Sequence, residues 1–127
     1  MKYEEITNAI IKAFYKVYNT LGYGFLEKVY ENAMKIELTL MGFSVEQQKR
    51  IDVYYFSYEV GDYYSDLIVE DLVIVELKAH ETIIEEDENQ LINYLKATDI
   101  EVGLLLNFGK KPGVKRKVFD NDKKMML

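Results

Sequence analysis

A chain of 127 residues has room for one hydrophobic core, so residues 1–127 are expected to form a single domain. With 49% hydrophobic and 30% charged residues the composition is that of a folded globular protein and excludes a disordered chain. The absence of cysteine, a single histidine (His80) and 22 acidic against 16 basic residues exclude a disulfide scaffold, a thiolate or multi-histidine metal centre, a cysteine nucleophile and a generally basic nucleic-acid coat.

The N-terminal MKYEEITNAI carries acids where a signal peptide has a basic and then an apolar stretch. No apolar run approaches the roughly 18 residues of a membrane span, so a soluble, cytoplasmic protein without a membrane partner is expected. Ile6, Ile10, Ala13, Phe14, Val17, Tyr18 and Leu21 lie on one helical face that ends at Gly22. After the Gly22-Tyr23-Gly24 break a second helix is expected to bury Val29, Ala33, Ile36 and Leu40 and to stop at Gly42. From Val45 to Tyr55 the period becomes two, which predicts a long, partly exposed strand. Turns are expected near Ser57 and at Gly61-Asp62, followed by antiparallel strands YYSDLIV and LVIVELKA around a break at Glu70-Asp71. The acids Glu81 to Glu88 open a helix that runs to about Lys96, and the nearly all-apolar VGLLLNF reads as a strand covered on both faces. Strand, helix, strand makes a right-handed crossover, so VGLLLNF should lie parallel to VIVELKA. The segment from about 109 to 127 carries Lys110, Lys111, Lys115, Arg116, Lys117, Lys123 and Lys124 against Asp120 and Asp122, and reads as a basic tail.

The chemistry centres on Asp66 and, ten residues on, Glu76-Leu77-Lys78. Glu76 and Lys78 are two apart in a strand and share a face. Charges at the end of so apolar a strand carry a desolvation penalty unless they are paired or bind a metal. Two converging carboxylates beside a lysine form an oxygen site for a hard cation, Mg²⁺ or Mn²⁺. Convergence depends on the hairpin loop. A two-residue loop at Glu70-Asp71 turns Asp66 to the wrong face, whereas a three-residue loop, Glu70 to Leu72, pairs Asp66 with Glu76. Two-residue hairpins favour Gly or Asn, absent here, so the longer loop or an equivalent bulge is expected. Gln90 and Tyr94 are an i, i+4 pair on the following helix, and Gln90 is within reach of the same site.

The block SDLIVEDLVIVELKA followed by QLINYL resembles the PD-(D/E)XK nuclease superfamily, with Asp66, Glu76 and Lys78 as its D…ExK triad. Gln90-x-x-x-Tyr94 resembles the QxxxY element of its RecB-like branch. GFLEKVYENAM, with Gly24, Glu27 and Tyr30, together with ELKA, NYLK and LLLNFG, is similar to the small GxxExxY proteins. The resemblance spans roughly residues 5 to 118. It implies an α/β fold with a restriction-endonuclease-like core, a mixed central sheet flanked by helices. It also implies that Glu27 joins Asp66 and Glu76 as an accessory metal-binding acid, and that Gln90 and Tyr94 belong to the site. Where many members have a Pro between the glycines, an Arg before the Asp and a His before the Gln, this chain has Tyr23, Tyr64 and Asp87.

The function expected is metal-dependent hydrolysis of phosphodiester bonds in nucleic acid, with DNA as the first choice of substrate. Asp66 and Glu76 would bind the metal and Lys78 would orient the water and stabilise developing negative charge. Lys110, Lys111, Lys115, Arg116 and Lys117 would grip the phosphate backbone. The alternatives are a nuclease-fold module that binds nucleic acid or a protein without turnover, and a homodimeric interaction protein using Tyr15, Tyr18 and Tyr23. Outside the resemblance, Glu76–Lys78 reads as a strand-end salt bridge and Glu27 as an acid favoured by the helix dipole.

Overall fold

A computed structural model of the chain describes residues 2–125. Two helices, α1 (Glu4–Leu21) and α2 (Glu27–Leu40), precede three strands, β1 (Val45–Tyr55), β2 (Tyr58–Val69) and β3 (Val73–Lys78). Helix α3 (Glu85–Lys96) crosses to β4 (Val102–Phe108), and β5 (Pro112–Val118) and a short 3-10 turn (Asn121–Lys123) follow. The five strands form one mixed sheet in sequence order, antiparallel except for the parallel β3–β4 pair. This is the expected crossover.

Each face of the sheet has its own core. Ile10, Phe14, Val17, Tyr30, Met34 and Leu38 of α1 and α2 pack on Leu67, Val75, Leu77, Leu104, Leu106 and Phe108. On the other face Leu91, Tyr94 and Leu95 of α3 meet Ile51, Ile68, Ile74 and Leu105. The α1 stripe is as the sequence predicts. That of α2 is not: Val29, Ile36 and Leu40 are exposed and Tyr30, Met34 and Leu38 are buried instead. Both sets have helical spacing, and the one with the larger side chains takes the core, where burying apolar area is worth about 25 cal/mol per Å². Gly42 ends α2 as expected, at a φ of 95° that strains any residue with a Cβ.

The β2–β3 register pairs Val69 with Val73 and Ile68 with Ile74, the three-residue loop expected. Glu70 and Asp71 both take left-handed conformations, closed by a bond from the N–H of Leu72 to the carbonyl of Val69 at 3.0 Å. The β2–β3 turn is therefore a tight one made without glycine. Glu70 is held in it by Ser44, whose N–H donates to the Glu70 carboxylate at 2.7 Å and whose carbonyl accepts from the Glu70 N–H at 2.8 Å.

Two expectations need correction. No turn occurs at Gly61-Asp62, because β2 runs through both and only a register shift beside Val53 marks the place. Part of the expected basic tail is an edge strand, β5, paired with β4 from Val102–Val118 to Phe108–Pro112. The β1–β2 ribbon, moreover, changes the face it turns to the core. Ile68 pairs with Glu46 and Ile51 pairs with Tyr63, yet Ile68 and Ile51 belong to the same cluster against α3. Their opposite parity means the ribbon changes facing between them. Gln48, left-handed at φ 54° and opposite Asp66 in the register, marks the change. Beyond it Tyr63 lies on Tyr94, with ring centroids 5.0 Å apart, while Arg50, Asp52, Glu59 and Asp62 form an exposed ion-pair network.

Candidate active site

The change of facing pulls β2 away from β3 just past the Leu67–Val75 pair, and the two acids sit in the resulting fork. The N–H of Asp66 donates to Glu76 Oε2 at 2.8 Å, and the N–H of Leu77 donates to Asp66 Oδ2 at 2.9 Å. Each carboxylate satisfies a main-chain donor of the opposite strand that the parted ladder leaves open. One oxygen of each acid is thereby fixed and the other remains available. Asp66 Oδ1 receives only a long bond from Gln48 Nε2, 3.3 Å, and Glu76 Oε1 accepts no hydrogen bond among the described residues.

The electrostatics follow from this crowding. Burial pushes the Glu76 carboxyl up to about 8, and the negative charge of Asp66 adds to the effect. Burial likewise raises Asp66 to about 6, opposed by the Leu77 N–H and aided by the charge of Glu31. The positive charge of Lys78 works against both shifts. The Tyr94 hydroxyl is pushed above its ordinary value, first by burial and then by the charges of Glu76 and Asp66. Gln90 lies one helical turn earlier on α3, half-buried and without a side-chain hydrogen bond among the described residues.

Among the described residues no three acidic, histidine or cysteine side chains gather as a metal-holding group. Glu27, expected beside the triad, reaches the end of β3 but is exposed, and its Oε2 accepts from the N–H of Ala79 at 3.3 Å. The α2 acid whose charge bears on Asp66 is Glu31, one turn further on, buried and bound by Lys28 at 2.8 Å, by Gln48 at 2.8 Å and by Gln47. Glu31 was not singled out from the sequence. Its signal was legible: it stands three residues before Met34 and seven before Leu38, an acid on a buried apolar stripe.

The remaining sequence features hold this arrangement in place. Tyr30 is fully buried, stacks on Phe108 at 4.2 Å, donates its hydroxyl to the carbonyl of Gly22 at 2.7 Å and accepts from the N–H of Phe25 at 3.1 Å. It closes the loop that presents Glu27 at the start of α2. In LLLNFG, Asn107 Oδ1 accepts from the N–H of His80 and Asn107 Nδ2 donates to its carbonyl, both at 2.9 Å. This pair of bonds pins the backbone just beyond Lys78.

The basic residues are dispersed. Lys117 pairs with Glu88 at 2.7 Å and Arg116 donates to the carbonyl of Lys2, leaving Lys110, Lys111 and Lys115 exposed. The pairing register puts Lys115 beside Leu105, itself beside Glu76, so these three residues occupy one row across the sheet.

One buried and one half-buried carboxylate, Glu76 and Asp66, each with an oxygen that no main-chain N–H holds, suit a divalent cation. Mg²⁺ binds commonly through one or two carboxylates and keeps several waters. The donor set therefore fits.

The fold is similar to the crystal structure of SSO0001, with a TM-score of 0.52 at 14% identity over 91% of this chain and 79% of that one. No curated protein matches the sequence. Among the described residues no helix is long and apolar enough to cross a membrane. The model of the PD-(D/E)XK nuclease superfamily matches residues 4–117, nearly the whole chain, with the β2–β3 fork inside it. The chain belongs to the PD-(D/E)XK nuclease superfamily.

Proposed function

We propose that the chain is a single-domain, divalent-metal-dependent nuclease of the GxxExxY type that hydrolyses phosphodiester bonds, with DNA as substrate. The observation that carries this reading is the fork, where Asp66 and Glu76 are locked to each other's strand with one oxygen apiece left open. These oxygens would hold Mg²⁺ or Mn²⁺, which supplies a Lewis acid for the phosphate and lowers the pKa of a bound water. Lys78 brings a fixed positive charge to the same place, where it orients the attacking water and stabilises charge that develops on the phosphate. Tyr94 closes the site on the α3 side and excludes solvent from the carboxylates. Lys110, Lys111 and Lys115 contact the phosphate backbone without reading sequence.

The test is cleavage of linear, nicked and single-stranded DNA, with RNA alongside, in Mn²⁺. Wild type is expected to cleave, and Lys78→Ala to lose activity by about 10²–10³-fold, the scale for removing a group that stabilises developing charge. Equal cleavage by both proteins would mean a contaminating nuclease, and the reading would fall.

A further inference from the structure

The acid that opens α3 is placed unlike its neighbours. Glu85, Glu86 and Glu88 are exposed or half-buried, as expected of carboxylates favoured by a helix N-terminus. Asp87 is buried, and only 8% of its surface remains exposed. Its Oδ1 lies 3.9 Å from Lys78 Nζ and its Oδ2 lies 3.7 Å from His80 Nε2. Oδ2 is buried without a hydrogen-bond partner among the described residues. A buried carboxylate oxygen left unpartnered is costly, and such an atom calls for a functional explanation.

We propose that Asp87 is a positioning residue for Lys78, holding its ammonium toward the fork and drawing His80 to the same side. The proposal rests on the nuclease reading of that fork and deepens it. The flexible four-carbon stem of a lysine at a strand end has many rotamers, and a fixed charge is useful only in one of them. Among the described residues the ion pair of Lys78 is with Asp87 and not with Asp66 or Glu76, whose carboxylates are each tied to a main-chain N–H of the opposite strand. Helix α3 supplies that partner from above. The backbone beneath is equally fixed, since Asn107 bonds both the N–H and the carbonyl of His80. Lys78 and His80, two apart and past the last apolar residue of β3, thus present their nitrogens on either side of one carboxylate. This side-chain cluster lies on the face where the fork opens.

The test compares Asp87→Asn, Lys78→Ala and the double variant on DNA in Mn²⁺, with Mn²⁺ binding followed by calorimetry and folding by thermal melting. Asp87→Asn keeps the shape and removes the charge. It is expected to lower kcat by about 10- to 100-fold, the scale for misplacing a catalytic group by an ångström, with KM and Mn²⁺ affinity within about twofold of wild type. In the Lys78→Ala background it should cause no further loss, because the group it positions is gone. Cleavage by Asp87→Asn within twofold of wild type would overturn the proposal, as would an equal loss with or without Lys78. If wild type itself fails to cleave, the nuclease reading fails first and the positioning role falls with it.

Discussion

Glu76→Gln is expected to abolish cleavage and, in metal-free buffer at pH 8, to make the protein more stable. The two effects have one cause. With Glu76 raised to about 8 and Asp66 to about 6, the folded state binds more protons than the unfolded chain between the ordinary carboxyl range and the raised values. Stability therefore falls as pH rises, because its slope with pH follows protons bound by the unfolded state minus those bound by the native one. The stabilisation is complete below about pH 4, the ordinary carboxyl value, and is lost progressively as pH rises through about 8. Removing the buried charge should recover about 1–3 kcal/mol at pH 8 and flatten the pH profile of wild type. Activity should fall by about 10³-fold or more, the scale for losing a main stabiliser of developing charge. Denaturant melts from pH 5 to pH 9 with and without Mg²⁺ check both halves. Saturating Mg²⁺ should stabilise wild type at pH 8 by mass action and leave the variant unchanged. A variant less stable than wild type at pH 8 would count against the buried pair as a centre built for a cation.

Gly109→Ala is expected to be among the most damaging single-methyl additions to the chain. A Cβ there would stand 2.0 Å from the carbonyl oxygen of His80 and 3.1 Å from Asn107 Nδ2. The first is backbone and cannot rotate away. Relief requires moving the strand ends apart, which breaks both bonds of Asn107 to His80 and the contact of the Tyr18 hydroxyl with the carbonyls of Gly109 and Lys110, at 2.7 and 2.8 Å. A loss of about 3 kcal/mol or more, roughly 10 °C in Tm, follows from overpacking combined with orphaned polar groups. Gly61→Ala makes the control, since nothing lies within 4 Å of a Cβ at that position. Thermal melts of the two variants decide it, and similar melting temperatures would mean that the close approach at Gly109 is not a constraint.

Much of this architecture is written in local pattern. The β2–β3 register could be read because Glu70-Asp71 lacks the Gly or Asn that a two-residue hairpin favours, which leaves the longer loop that brings Asp66 opposite Glu76. The crossover from β3 through α3 to β4 followed from one fully apolar strand after a helix. Other features had no local mark. Gln48 takes a left-handed conformation in mid-strand with neither glycine nor asparagine to announce it, so the turn of the ribbon over α3 was invisible. Strand β5 carries lysines because it is an edge, and charge on an edge strand guards against pairing with other chains. Its composition therefore resembled a tail. In α2 two apolar stripes of equal period compete, and Glu31 lies on the one that the core takes, which periodicity alone does not single out.

The claim beneath all of this is that Asp66 and Glu76 together bind a divalent cation. Calorimetric titration of Mn²⁺ into the wild-type protein and into Asp66→Asn at pH 8 tests it directly. The account predicts saturable binding by wild type, with release of the proton that Glu76 still partly holds at pH 8, and its loss in the variant. No binding by wild type, or equal binding by both, would contradict it.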